Sequence, residues 1–137
     1  MKGNIYLYII CCLLLSYSGI TLVTGAKMQQ YLEGSIQTTN IKLQYSDAVK
    51  EFYEISSYRF FWMQLENEAN RNLLLTILKN AGEQGLEEKD YQHQFIEAFR
   101  NKTLSLDNME DSIAAEIKFT DAAIHFFSNL AFGQKRK

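Results

Sequence analysis

No glycine or proline interrupts the chain from Leu104 to Phe132. Within that stretch Met109, Ile113, Ala114, Ile117, Ala122, Ile124, Phe126, Phe127, Leu130 and Ala131 recur at helical spacing over more than one stripe, which predicts one or two helices. Asp107 with Glu110 three residues on resembles a capping box at the start. A break is expected near Phe119, where Thr120 would cap a second piece. Gly133 is the natural stop.

Upstream, the periodicity again favours helices. Tyr45, Ala48, Val49, Phe52 and Tyr53 fall on one helical face behind Ser46, a plausible helix start. Ser56 and Ser57, followed by Tyr58, Phe60, Phe61 and Trp62, predict an end to that helix and a compact turn packed by rings. Ala69, Leu73, Leu74, Ile77, Leu78 and Ala81 form a second stripe, with Glu66, Glu68, Arg71, Lys79 and Glu83 on the polar side. Gly85 stands where a left-handed residue would close it, and Leu86 can fold back onto the last turn. A further helix is expected from about Glu88 to Asn101, burying Tyr91, Phe95, Ile96 and Phe99. Residues 27–45 read as a lead-in with a short helix around Met28 to Leu32. With no internal repeat, the expectation is an all-α, single compact domain of about five helices around one core.

The amino terminus has a separate logic. Lys2 precedes an apolar run from Ile5 to Leu15, and the small residues Thr24, Gly25 and Ala26 follow. That is the layout of a secretory signal peptide, with cleavage after Ala26 or alternatively after Gly25. Ile5 to Val23 retained as a membrane anchor is the competing reading. Both cysteines of the chain, Cys11 and Cys12, lie in this run. A processed chain would therefore have no disulfide, no thiolate metal site and no cysteine nucleophile. Residues 135–137, Lys-Arg-Lys, read as a short basic tail.

Composition excludes several classes. With 47% hydrophobic and 22% charged residues, no proline and a net charge of -2, the chain is neither disordered nor collagen-like, and it lacks the basic face of a nucleic-acid binder. No Gly-rich phosphate loop, zinc-protease helix or Gly-x-Ser-x-Gly elbow occurs, so no catalytic, cofactor or metal residue is assigned. His93 and Glu97 have one-turn spacing, but a metal site needs three or four ligands. His125, between Ile124 and Phe126, reads as a packed structural histidine. Glu87, Glu88, Asp90, Glu110, Asp111 and Glu116 read as helix-start or solvated carboxylates. Downstream of Ala26 the chain holds nine Phe, five Tyr and Trp62. So many rings fill a core or leave a docking face.

Three stretches taken in order resemble the helical scaffold domain that precedes the catalytic domain in large periplasmic L,D-transpeptidases. They are Val49 to Trp62 (VKEFYEISSYRFFW), Leu73 to Tyr91 (LLLTILKNAGEQGLEEKDY) and Glu116 to Gly133 (EIKFTDAAIHFFSNLAFG), within a domain spanning residues 46–134. The matching positions are Phe52, Tyr53, Tyr58, Trp62, Gly85, Leu86, Asp90, Tyr91, Thr120, Asp121, Phe126, Phe127 and Gly133. The chain departs from the family at Ser56, where Arg is frequent, and at Phe60 and Glu88, where Pro is frequent.

The resemblance implies cell-wall biology in the periplasm or cell envelope. In that family a separate domain with a Cys nucleophile and a nearby His cross-links peptidoglycan stems, and those parts would begin near Lys137. The expectation is a non-catalytic scaffold module, truncated or stand-alone, without a cofactor. Its partner would be an L,D-transpeptidase catalytic domain, another envelope protein or peptidoglycan. Phe52, Tyr53, Tyr58, Trp62, Tyr91, Phe126 and Phe127 would pack its core and a docking face. Asp90 and Asp121 would order loop or helix ends, Asp121 near a positive helix terminus. An independent envelope adaptor and a small hydrolase built on His93 and the carboxylates are the alternatives.

Overall fold

A computed structural model describes residues 25–33 and 41–134 of the chain. The helices are α1 (residues 25–33), α2 (Ser46–Ile55), α3 (Glu68–Lys79), α4 (His93–Arg100) and α5 (Met109–Phe132). Single 3₁₀ turns stand at Leu65–Asn67, Ala81–Gln84 and Glu88–Asp90. No strand occurs among the described residues, so the all-α expectation holds. Residues 1–24 of the expected leader, the alternative anchor, both cysteines and the basic tail lie outside the described residues. The positions expected for cleavage, after Ala26 or after Gly25, fall in the first turn of α1, upstream of the buried Met28 and Leu32. Among the described residues no helix is long and apolar enough to cross a membrane.

The fold is arranged around α5, whose 24 residues span about 36 Å at the usual helical rise. Ile113 and Ile117 on one face pack with Met28 and Leu32 of α1 and Val49 and Tyr53 of α2. Ala115, Phe119, Ala122, Ala123 and Phe126 pack with α3 and α4 through Leu74, Leu78, Phe95 and Ile96. The short helix expected near Met28 is thus present and closes one side of the core.

The expected break at Phe119 does not occur. Phe119 is fully buried, with its ring edge-on to Phe95 and Phe99 and tilted against Trp62. The Thr120 hydroxyl bonds back to the Glu116 carbonyl within the helix instead of capping a new one. Opening the helix here would disperse that ring cluster. At the start of α5 the cap is Asn108, whose side chain accepts from the Asp111 N–H at 2.8 Å, so the cap falls one residue beyond Asp107. Asp107 accepts from the Ser105 hydroxyl instead.

Two more boundaries move. The helix expected from Glu88 to Asn101 divides at Gln92, which sits in the left-handed region at φ 50° and separates the Glu88–Asp90 turn from α4. The α3 stripe is rotated from its expected centre: Leu74, Leu78 and Ala81 are buried, while Leu73 and Ala69 are exposed. α3 also stops at Lys79, and Gly85 closes the 3₁₀ turn that follows. Leu86 folds back as expected, its N–H donating to the Ala81 carbonyl at 3.1 Å. Ser56 ends α2, and Ser57 and Tyr58 follow at φ 55° and 54°, which turns the chain toward α5.

Gly85 has φ +72°, and an added Cβ would meet no atom within 4 Å. Gly85→Ala should therefore cost only the left-handed backbone penalty, about 1–2 kcal/mol, read as a lower urea midpoint with unchanged slope.

Candidate functional site

Helix α5 places two carboxylates, Glu116 and Asp121, inside the fold, at 0% and 1% exposure. An ionised carboxylate withdrawn from water is costly unless donors surround it, and each of these recruits a different part of the chain. For Glu116 the donors are three successive backbone N–H groups. Phe61 donates to Oε1 at 2.6 Å, Trp62 to Oε2 at 2.9 Å and Met63 to Oε2 at 2.8 Å. Consecutive N–H groups converging on one anion form a nest, here supplied by the connection between α2 and α3.

Side chains complete the shell. Tyr53 Oη lies 3.0 Å from Glu116 Oε1 and 2.6 Å from Thr120 Oγ1, and Trp62 Nε1–H donates to Thr120 Oγ1 at 2.9 Å. Trp62 thus donates to Thr120 and Tyr53 can donate to the carboxylate, while the single Thr120 proton is within reach of both the Tyr53 oxygen and the Glu116 carbonyl. Burial raises the Glu116 carboxyl above its ordinary 4.5, against the opposing pull of the three N–H donors and Tyr53. Burial, reinforced by the charge on Glu116, also holds the Tyr53 hydroxyl well above its ordinary 10.0.

Asp121 binds a second stretch of chain. Its Oδ1 accepts from the Gln44 and Tyr45 N–H groups at 3.0 and 2.8 Å, and its Oδ2 from Gln92 Nε2 at 2.6 Å. Because α5 is continuous, Asp121 lies well inside it and not near a positive helix terminus as expected. Its role in ordering neighbouring segments is nevertheless the expected one. Asp90 does the same on a smaller scale, accepting from Gln134 Nε2 just beyond α5.

His93 and Glu97 come together with Glu88, their candidate ligand atoms all within 4.8 Å of one another. Arg100 already bridges the two carboxylates, with Nη1 2.5 Å from Glu88 and 2.6 Å from Glu97, while its Nη2 donates to the Leu75 carbonyl. The group thus works as an ion-pair clamp joining α3, α4 and the turn before α4. His125 is packed as expected, its ring 5.3 Å from Tyr45 and 4.8 Å from Tyr91.

The remaining family positions divide between interior and surface. Tyr53, Tyr91 and Phe126 are buried, and the Tyr91 hydroxyl accepts from Asn129. Phe52, Tyr58 and Trp62 are half-buried, with Phe52 edge-on to Tyr53 and Phe61. Phe127 does not enter the core: it is 51% exposed, beside Leu130 at 48% and Phe132 at 89%. Gly133, at φ 79°, ends α5 as expected.

Glu116 is the residue that sequence reasoning misplaced as solvated. The signal was its position: it falls three residues after Ile113 and four before Thr120, on the stripe that α5 turns inward. Neither Glu116 nor Asp121 lines the groove of about 470 Å³ beside α3 or the cleft of about 270 Å³ between α1 and α2. With these partners supplied by the chain, the two carboxylates hold structure.

A family model described as a scaffold domain matches residues 47–137. This agrees with the resemblance drawn from the three sequence stretches. No curated protein and no solved structure matches the chain.

Two outcomes are expected for the Glu116 knot. Glu116→Gln turns one carboxylate oxygen into a donor facing N–H groups, and should cost about 3 kcal/mol in chemical denaturation. The raised carboxyl means that between pH 4.5 and its folded value the native state binds more protons than the unfolded chain. Its contribution is therefore full below pH 4.5 and is lost as pH rises through the folded value. The stability gap between wild type and Glu116→Gln should narrow over that rise; a gap that widens would contradict the assignment.

Proposed function

The chain belongs to the scaffold-domain family, and from that premise we propose that it is a non-catalytic helical module of an exported, L,D-transpeptidase-like cell-wall protein in the periplasm or cell envelope. The observation that carries this reading is the use to which the buried polar groups are put. Glu116, Asp121, Tyr53 and Thr120 are spent on neighbouring chain segments. No cysteine occurs after Cys12, so the acyl-transfer thiol of the resembled family has no counterpart in residues 25–137. A module so built acts by contact: it holds a surface in a fixed shape.

The surface best suited to contact is the last two turns of α5. Phe127, Leu130 and Phe132 are exposed there, beside a rigid ring cluster that extends through Phe126 to Tyr91. Large apolar side chains grouped on a stable helix are what a protein partner covers. The partner proposed is an L,D-transpeptidase catalytic domain or another envelope protein, with peptidoglycan as the alternative ligand.

Sedimentation velocity of the chain mixed with an L,D-transpeptidase catalytic domain tests this. A complex at micromolar concentration is expected, weakened about tenfold or more by Phe127→Ser with Leu130→Ser at unchanged melting temperature. Independent sedimentation, combined with retention on cell-wall sacculi, would favour the adaptor role instead. A carbapenem adduct mapped to residues 27–137 would contradict the non-catalytic reading.

A further inference from the structure

We propose that the groove between α3 and the connection from α4 to α5 binds the free carboxylate end of a peptide whose last side chain is aliphatic. The groove has a volume of about 470 Å³, within the range of small-ligand sites. Leu75, Phe99, Leu104 and Leu106 give it an apolar wall. Three cations, Arg71, Arg100 and Lys102, line it against one acid, Glu68.

The cations are not equivalent. Arg100 is neutralised by Glu88 and Glu97. Neither Arg71 nor Lys102 has a carboxylate partner among the described residues. Arg71 is nevertheless held firmly: Nη1 donates to the Trp62 carbonyl at 2.6 Å, and the guanidinium carbon stands 5.5 Å from the centre of the Phe99 ring. Its Nε is buried without an acceptor among the described residues. A fixed guanidinium with unmet donor capacity, set beside hydrocarbon, suits a planar anion carrying an apolar group, which is a carboxylate more than a hydrated spherical ion. Lys102 adds a second positive charge from the turn after α4, where its backbone is left-handed at φ 54°.

A peptide fits better than a simple fatty acid because of the polar groups at the rim. The Asn72 side-chain amide also lines the groove and makes no hydrogen bond among the described residues, so it can donate to and accept from a peptide unit. Glu68, exposed on the same helix, can accept a peptide N–H. This site is separate from the exposed end of α5, so it stands or falls independently of the docking partner proposed above.

The probe is N-acetyl-Leu-Leu, as free acid and as C-terminal amide, titrated into the full-length chain by calorimetry. Trp62, the single tryptophan and the partner of Arg71, gives a fluorescence signal for the same event. The acid should saturate, bind about tenfold or more tightly than the amide, and weaken as salt is raised. Arg71→Gln and Lys102→Gln should each bring acid binding down to the level of the amide. Lys102→Gln removes a charge from an exposed turn without touching the core, so it remains informative if Arg71→Gln unfolds. Equal binding of acid and amide, wild-type binding by Lys102→Gln, equal binding of inorganic phosphate, or no saturation at about 10 mM would each overturn the assignment.

Discussion

Placing an ionised carboxylate at the centre of a small helical domain forces the rest of the chain to answer it. Glu116 is fully buried, and its desolvation is offset only where donors reach both oxygens at once. The three N–H groups of Phe61 to Met63 can do so only if the chain leaves α2 by the left-handed turn at Ser57 and Tyr58. The same turn carries Trp62 to its contacts with Thr120 and Phe119. One buried charge thus sets the path of the α2–α3 connection and the seat of the only tryptophan.

Asp121 repeats the device five residues on, toward other segments. It gathers the adjacent Gln44 and Tyr45, together with Gln92 from a distant part of the sequence, onto α5. The two carboxylates therefore bind the irregular parts of the chain, and the apolar faces of α5 bind the helices on either side. Polar fastening of this kind defines one arrangement of loops more sharply than hydrophobic contact, which is non-directional. That suits a module whose proposed work is to present a fixed surface.

Much of this was legible along the chain. The start of α2 at Ser46, its end at Ser56, the left-handed Gly85 with Leu86 folded over it, and the stop at Gly133 all follow from local chemistry and all occur. Thr120 looks like a cap, but caps compete with tertiary packing, and the ring cluster around Phe119 favours an unbroken helix. Asp107 looks like the first member of a capping box, but its neighbour Asn108 takes the cap while Asp107 accepts from Ser105. Gln92 looks helical and is left-handed, its side chain drawn to Asp121 and the Lys42 carbonyl. Leu73 belongs to the expected stripe and faces outward, since burial follows the neighbours of α3 and not its periodicity alone.

Helical class, the scaffold resemblance and the absence of a thiol after Cys12 were determined by the sequence alone, because period, punctuation and residue type are local properties. The tertiary structure decided the role of Glu116, the unbroken course of α5, the outward position of Phe127 and the pairing of Arg100 with two carboxylates where Arg71 has none among the described residues. Each of these depends on which distant residues arrive beside a side chain. A carboxylate and a guanidinium carry the same formal charge wherever they stand in the sequence, but whether water, a backbone N–H or another charge surrounds them is set only when the helices close.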